Sequence, residues 1–160
     1  MNDLDDPRPG RGALPPVAAV ATDAAVIDVS GVWSFRWSPR LADAPDDLPG
    51  ADTSGWGRMP VPASWVMPSH DALHPGAHGV PAYTNVRYPF PLDPPYAPEA
   101  NPVGDYAIEF DAPLLERPVL RFEGIEGAAT VWLNGVELGT TRGSRLPTPF
   151  AATSLREGSN

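Results

Sequence analysis

The stretch ATVWLNGVELGTT, residues 129–141, decides how the chain is read. Two runs rich in Val, Leu, Trp and Thr flank Asn134-Gly135, a pair that accepts the positive φ required at both central positions of a type I′ turn. The stretch therefore predicts a β-hairpin. Upstream, RPVLRFEGI (117–125) offers another strand, and DYAIEFDA (105–112) alternates Tyr106, Ile108 and Phe110 with Asp105, Ala107 and Glu109. That is the period of two of a half-buried strand. GVWSFRW (31–37) points Trp33, Phe35 and Trp37 one way and Val32, Ser34 and Arg36 the other. Trp33, Phe35, Phe122 and Trp132 are the aromatic side chains expected in the core. RMPVPASWVM (58–67) is apolar, but Pro60 and Pro62 cannot donate ladder hydrogen bonds, which makes it an edge strand or an extended crossing. No stretch combines a 3.6-residue period with helix caps. The expected class is all-β, with short strands and long Greek-key-like loops, as in a sandwich or jelly roll.

Length and composition fit one loop-rich domain. The 160 residues include 22 prolines and 15 glycines, but five Trp, five Phe and four Tyr supply the large apolar side chains that disordered chains lack. Eleven basic residues against 20 acidic ones leave a net charge of -9, which repels nucleic acid and anionic membranes. Without cysteine there is neither a disulfide framework nor a thiolate metal site. The acidic start lacks a secretory n-region, and the apolar ALPPVAAVA (13–21) is short and broken by Pro15 and Pro16. A cytoplasmic protein is expected, with residues 1–27 as a flexible arm and 28–160 as the domain.

Prolines recur so often from Pro68 to Pro102 that neither a helix nor a central strand is expected there. Trp65, Tyr83, Tyr88, Phe90 and Tyr96 can pack such a loop. His70, His74 and His78 recur every fourth residue, as zinc ligands on a helix would. Pro75, Gly76 and Gly79 rule out that helix, so these are read as exposed loop histidines and no metal site is expected. His78 is the one placed to approach a substrate cleft. Asp93, Glu99 and Asp105 are read as solvated charges, and no catalytic residue is nominated. Arg142 and Arg145 are read as turn and surface. At the other end, PTPFAATSLREGSN (147–160) reads as a crossing that ends in a turn at Gly158. Such a turn should deliver the chain into another strand, so a polypeptide continuing past Asn160 is expected.

Two blocks carry a resemblance. RFEGIEGAATVWLNGVELGTTRGSRLPTPF (121–150) resembles the N-terminal jelly-roll domain of family 2 glycoside hydrolases. PAYTNVRYPFPLDPPYAPEANPVGDY (81–106) is similar to the β-galactosidase branch. With GVWSFRW and VPASWVM, the likeness covers roughly residues 30 to 160. It implies a galactose-binding-like β-sandwich lacking its final strand or strands. By the same likeness, an immunoglobulin-like domain and a TIM barrel would follow in the same chain. The activity implied is hydrolysis of terminal non-reducing β-D-galactose in β-galactosides such as lactose, by a retaining mechanism. Both catalytic glutamates, and an Asp that helps hold sodium, would lie beyond Asn160. Magnesium and sodium are implied for the full-length enzyme, no cofactor is implied for this part, and the part alone would be inactive. A homo-oligomer is among the implied assemblies.

In that family the asparagine of an Asn-Pro-x-Gly loop hydrogen-bonds the galactosyl unit. The matching position is Asn101, with Pro102, Val103 and Gly104 as loop support. Pro98 and Pro102 would restrict the loop, and Gly104 would give backbone freedom where it enters the strand. The chain departs from the family at Ala151, where Asp commonly stands, and in PSHDALHPGAHGV (68–80), which is longer than in relatives. A free-standing carbohydrate-binding module and a purely structural or assembly domain are the alternative readings.

Overall fold

The computed structural model describes residues 6, 10–15, 23–67, 78, 85 and 91–160. Among them the chain forms β-strands and a single 3₁₀ turn at Leu41–Asp43. All the strand pairings are antiparallel. Several join strands distant in sequence, as the Greek-key-like reading requires. The backbone divides into two compact units, one built on residues 29–46 and 51–108, the other on 6–28, 47–50 and 109–160.

In the first unit β1 (Gly31–Ser38) lies between β2 (Gly57–Val61) and β3 (Val103–Ala107). Among the described residues β2 pairs with β1 alone, so Pro60, opposite Val32, can sit in it without breaking a second ladder. Alternation along β1 buries Phe35 at 4% exposure, with Met59 of β2 buried as well, while Val32 is exposed. Phe35 packs on Tyr106, its partner in β3, with ring centroids 4.8 Å apart. The Trp33 indole N–H donates to the Val29 carbonyl at 2.9 Å.

DYAIEFDA, read as one strand, is two. β3 starts before Gly104 and stops at Ala107, and β4 takes up only Asp111–Ala112. The backbone passes from the first unit to the second between Ile108 and Glu109. Alternation persists through such a crossing although the pairing partner changes.

In the second unit β6 (Ala128–Leu133) and β7 (Val136–Arg142) form the predicted hairpin, with φ of 51° at Asn134 and 80° at Gly135. Trp132 is not the core residue of β6. Val131 and Leu133 are buried at 7% and 6% exposure and Trp132 is half-buried, next to a register shift between Val131 and Trp132. β5 (Val119–Phe122) pairs with β8 (Thr148–Ala151), and Phe150, with no exposed surface, meets Phe122 edge-on at 6.3 Å. The buried hydroxyls of Thr141 and Thr148 satisfy each other at 2.9 Å, joining β7 to β8.

Within the segment read from composition as an arm, residues 11–14 lie along these strands. The Thr140 N–H donates to the Arg11 carbonyl and the Leu14 N–H to the Pro149 carbonyl, each at 2.8 Å, and Ala13 bridges Phe150. At the other end, the strand anticipated after Gly158 begins at that residue. Gly158–Ser159 forms β9 on β4, and Phe110 and Asn160 exchange backbone hydrogen bonds of 3.1 and 2.9 Å.

Truncating the buried Phe150 to Ala removes the centre of the β5–β8 packing and is expected to cost about 3–5 kcal/mol, read from urea unfolding. Truncating Leu114, which is 78% exposed, is expected to change stability by less than about 0.5 kcal/mol. Equal losses in the two variants would rule out a packed core at Phe150.

Candidate functional site

The approach to β3 is a loop with two short-range backbone hydrogen bonds among the described residues. The Tyr96 N–H turns back to the Asp93 carbonyl at 2.8 Å, and the Asn101 N–H to the Glu99 carbonyl at 3.0 Å. Asn101 is half-buried, and its side-chain amide makes no hydrogen bond with another described residue. Leu92 and Tyr96 on the same loop are 72% and 65% exposed.

Arginines from the β1 region hold both flanks. Arg40 grips Asp43 with two hydrogen bonds of 2.8 Å and reaches Glu99 at 3.4 Å. The hydrogen bonds from Arg40 hold the Asp43 carboxyl below its ordinary range. All three side chains are exposed enough for water to screen the pairs, so they orient the loop more than they stabilise it. On the strand side Arg36 meets Asp105, its cross-strand neighbour, at 3.0 Å, with the two side chains 19% and 10% exposed. The guanidinium lies 4.3 Å from the centre of the Trp56 ring. Glu99 and Asp105 are therefore partners of arginines, whereas both had been read as solvated charges. Among the described residues no three His, Asp or Glu side chains converge as a metal site requires.

Gly104 serves a different purpose from the backbone freedom expected of it, since its φ is not positive. A Cβ there would fall on the six-membered ring of Trp65 and come within 2.9 Å of Phe35 Cε2. What the position requires is space. Trp65 stacks on Tyr106 at 6.4 Å and 14° between planes, and tilts against Phe35 at 6.0 Å.

His78 is not an exposed loop histidine. Its backbone N–H donates to the Trp65 carbonyl at 2.7 Å, and its ring stacks on Trp37 at 5.3 Å and lies 5.5 Å from Phe35. The Trp37 indole nitrogen is buried with no hydrogen-bond partner among the described residues. His70, His74, Tyr83, Tyr88 and Phe90 lie outside the described residues.

The structure thus brings Asn101, Pro102, Val103 and Gly104 together with Trp65, His78, Arg36 and Arg40; Trp65 had been read as packing the loop, though not against Gly104, and Arg36 and Arg40 had not been singled out for it. One signal for Trp65 was present: an isolated glycine inside a strand pattern marks close approach of another group. The phenol of Tyr106, beneath Trp65, is pushed above its ordinary value by burial.

The profile of the family described as glycosyl hydrolases family 2, sugar binding domain, matches residues 26–160. A β-galactosidase of Arthrobacter sp. (strain B7) is 38% identical over 179 residues, covering 98% of this chain and 17% of that protein. β-Galactosidase 2 of Enterobacter cloacae is 36% identical over 88% of this chain and 13% of its own length. The β-galactosidase of Lactococcus lactis subsp. lactis (strain IL1403) is 39% identical over 82% of this chain and 13% of its own. The chain therefore spans less than one fifth of the length of these relatives.

Burial of Tyr106 makes stability depend on alkaline pH. With the folded pKa raised, the native state holds the phenolic proton more tightly than the unfolded chain does. Its contribution is complete below about 10 and is lost as pH climbs through the raised value. The chain has no lysine and no cysteine, so neither adds a transition in that range. Tyr106→Phe is expected to lessen the fall in urea midpoint as pH rises above about 10. Equal falls in both proteins would show that the phenol ionises freely in the folded state.

Proposed function

Because the chain belongs to family 2 of the glycosyl hydrolases, through their sugar-binding domain, we propose that it is the N-terminal domain of a β-galactosidase. The whole enzyme would release terminal non-reducing β-D-galactose from β-galactosides such as lactose. In this reading the domain carries the Asn101 loop to the rim of a cleft whose remaining walls belong to an immunoglobulin-like domain and a TIM barrel. The observation that carries the proposal is the similarity to proteins named β-galactosidase over 82–98% of this chain.

The chemistry of Asn101 suits that task. Its amide offers two donors and an acceptor to sugar hydroxyls, and no described residue occupies them. The loop is braced before a ligand arrives, by Arg40 on Glu99 and by Trp65 over Gly104, so less freedom is lost on binding. Retaining hydrolysis needs two carboxyl groups about 5–5.5 Å apart, one as nucleophile and one as acid/base. Glu99 and Asp105 are held by arginines, and we assign both catalytic roles to the polypeptide beyond Asn160. The magnesium and sodium implied by the resemblance would be bound there too, and these 160 residues alone would be inactive.

The full-length polypeptide is expected to hydrolyse lactose and a chromogenic β-galactoside; inactivity on every β-galactoside would overturn the reading. In that protein Asn101→Ala is expected to weaken inhibition by galactose about tenfold, the loss of roughly one well-placed hydrogen bond. Unchanged galactose inhibition would remove Asn101 from the sugar site.

A further inference from the structure

The Asn101 side chain makes no hydrogen bond with another described residue, so the restraints visible among the described residues act on it through the backbone on either side. Toward the N-terminus the brace is an ion pair with Glu99, a side chain that is 86% exposed. Toward the C-terminus the brace is much stiffer. Gly104 stands opposite Trp37 in the β1–β3 ladder, which fixes its backbone from one side. From the other, the Trp65 ring occupies the space of the missing Cβ.

Trp65 has little room to yield. It lies nearly parallel to Tyr106, is tilted against Phe35, and its carbonyl accepts the His78 N–H at 2.7 Å. His78 is itself stacked on Trp37. Indole, imidazole and the two strands therefore form one closed set of contacts around residue 104, and packed interiors transmit displacement of this kind rather than absorb it.

We infer that Trp65 is a positioning residue for Asn101, and that glycine is required at position 104 to admit its ring. The pair sets the backbone at the start of β3, and the two residues between Asn101 and Gly104, Pro102 and Val103, carry that setting to the amide. The inference rests on the proposed contact of Asn101 with the galactosyl unit.

The test uses the full-length enzyme and reads inhibition by galactose, kcat and KM on a chromogenic galactoside, and urea midpoints. Gly104→Ala drives a methyl group into the indole and is expected to weaken galactose inhibition at least fivefold. Adding Trp65→Phe, which shrinks the ring at the point of collision, is expected to restore most of it. In an Asn101→Ala background, Gly104→Ala is expected to add no further loss of inhibition, because the amide through which it acts is gone.

The outcomes separate the two layers of the argument. If Asn101→Ala leaves galactose inhibition unchanged, the reading of the loop fails and this inference fails with it. If Asn101→Ala weakens inhibition but Gly104→Ala does not, the loop reading stands and the positioning role is overturned. It is also overturned if Gly104→Ala lowers inhibition and stability together and Trp65→Phe recovers neither.

Discussion

The contact between the Trp65 ring and the bare Cα of Gly104 constrains the first unit more than any other feature. It holds only because nothing projects from residue 104 on that face. Around it the aromatic side chains of β1 and β3 arrange themselves: Phe35 beside both Trp65 and Tyr106, Trp33 edge-on to Tyr106, and Trp37 under His78. Aromatic pairs of this kind contribute mainly by the area they remove from water, with a smaller directional term.

Charge has a subordinate part. The chain is acidic overall, yet the carboxylates flanking Asn101 are neutralised locally by Arg36 and Arg40. The Arg36–Asp105 pair is shielded by strand neighbours and by Trp56, and it joins directly opposed residues of β1 and β3. Arg40 works in water, where its grip orients without adding much stability.

What was legible in the sequence was local. Asn134-Gly135 announced its hairpin because turn chemistry is set by adjacent residues, and the alternation in β1 named Phe35 correctly as buried. Alternation does not say which face points inward, so Trp132 was assigned to the core that Val131 and Leu133 fill. Nor does it register a change of partner, so β3 and β4 were merged. The Asn101 block was found by resemblance. Its supports were hidden because Arg36–Asp105, Arg40–Glu99 and Trp65–Gly104 join residues far apart in sequence. For His78, the prolines and glycines around it excluded a helix and carried no information about the aromatic rings it meets.

The attachment of residues 11–14 to β7 and β8 orders events in time. This segment leaves the ribosome more than a hundred residues ahead of its hydrogen-bonding partners Thr140 and Pro149. Until they emerge, its main chain can be satisfied by water alone, and closing so long a span is slow compared with forming the β6–β7 hairpin. The nascent second unit therefore has its β6–β7 hairpin available before it recruits the upstream segment 11–14.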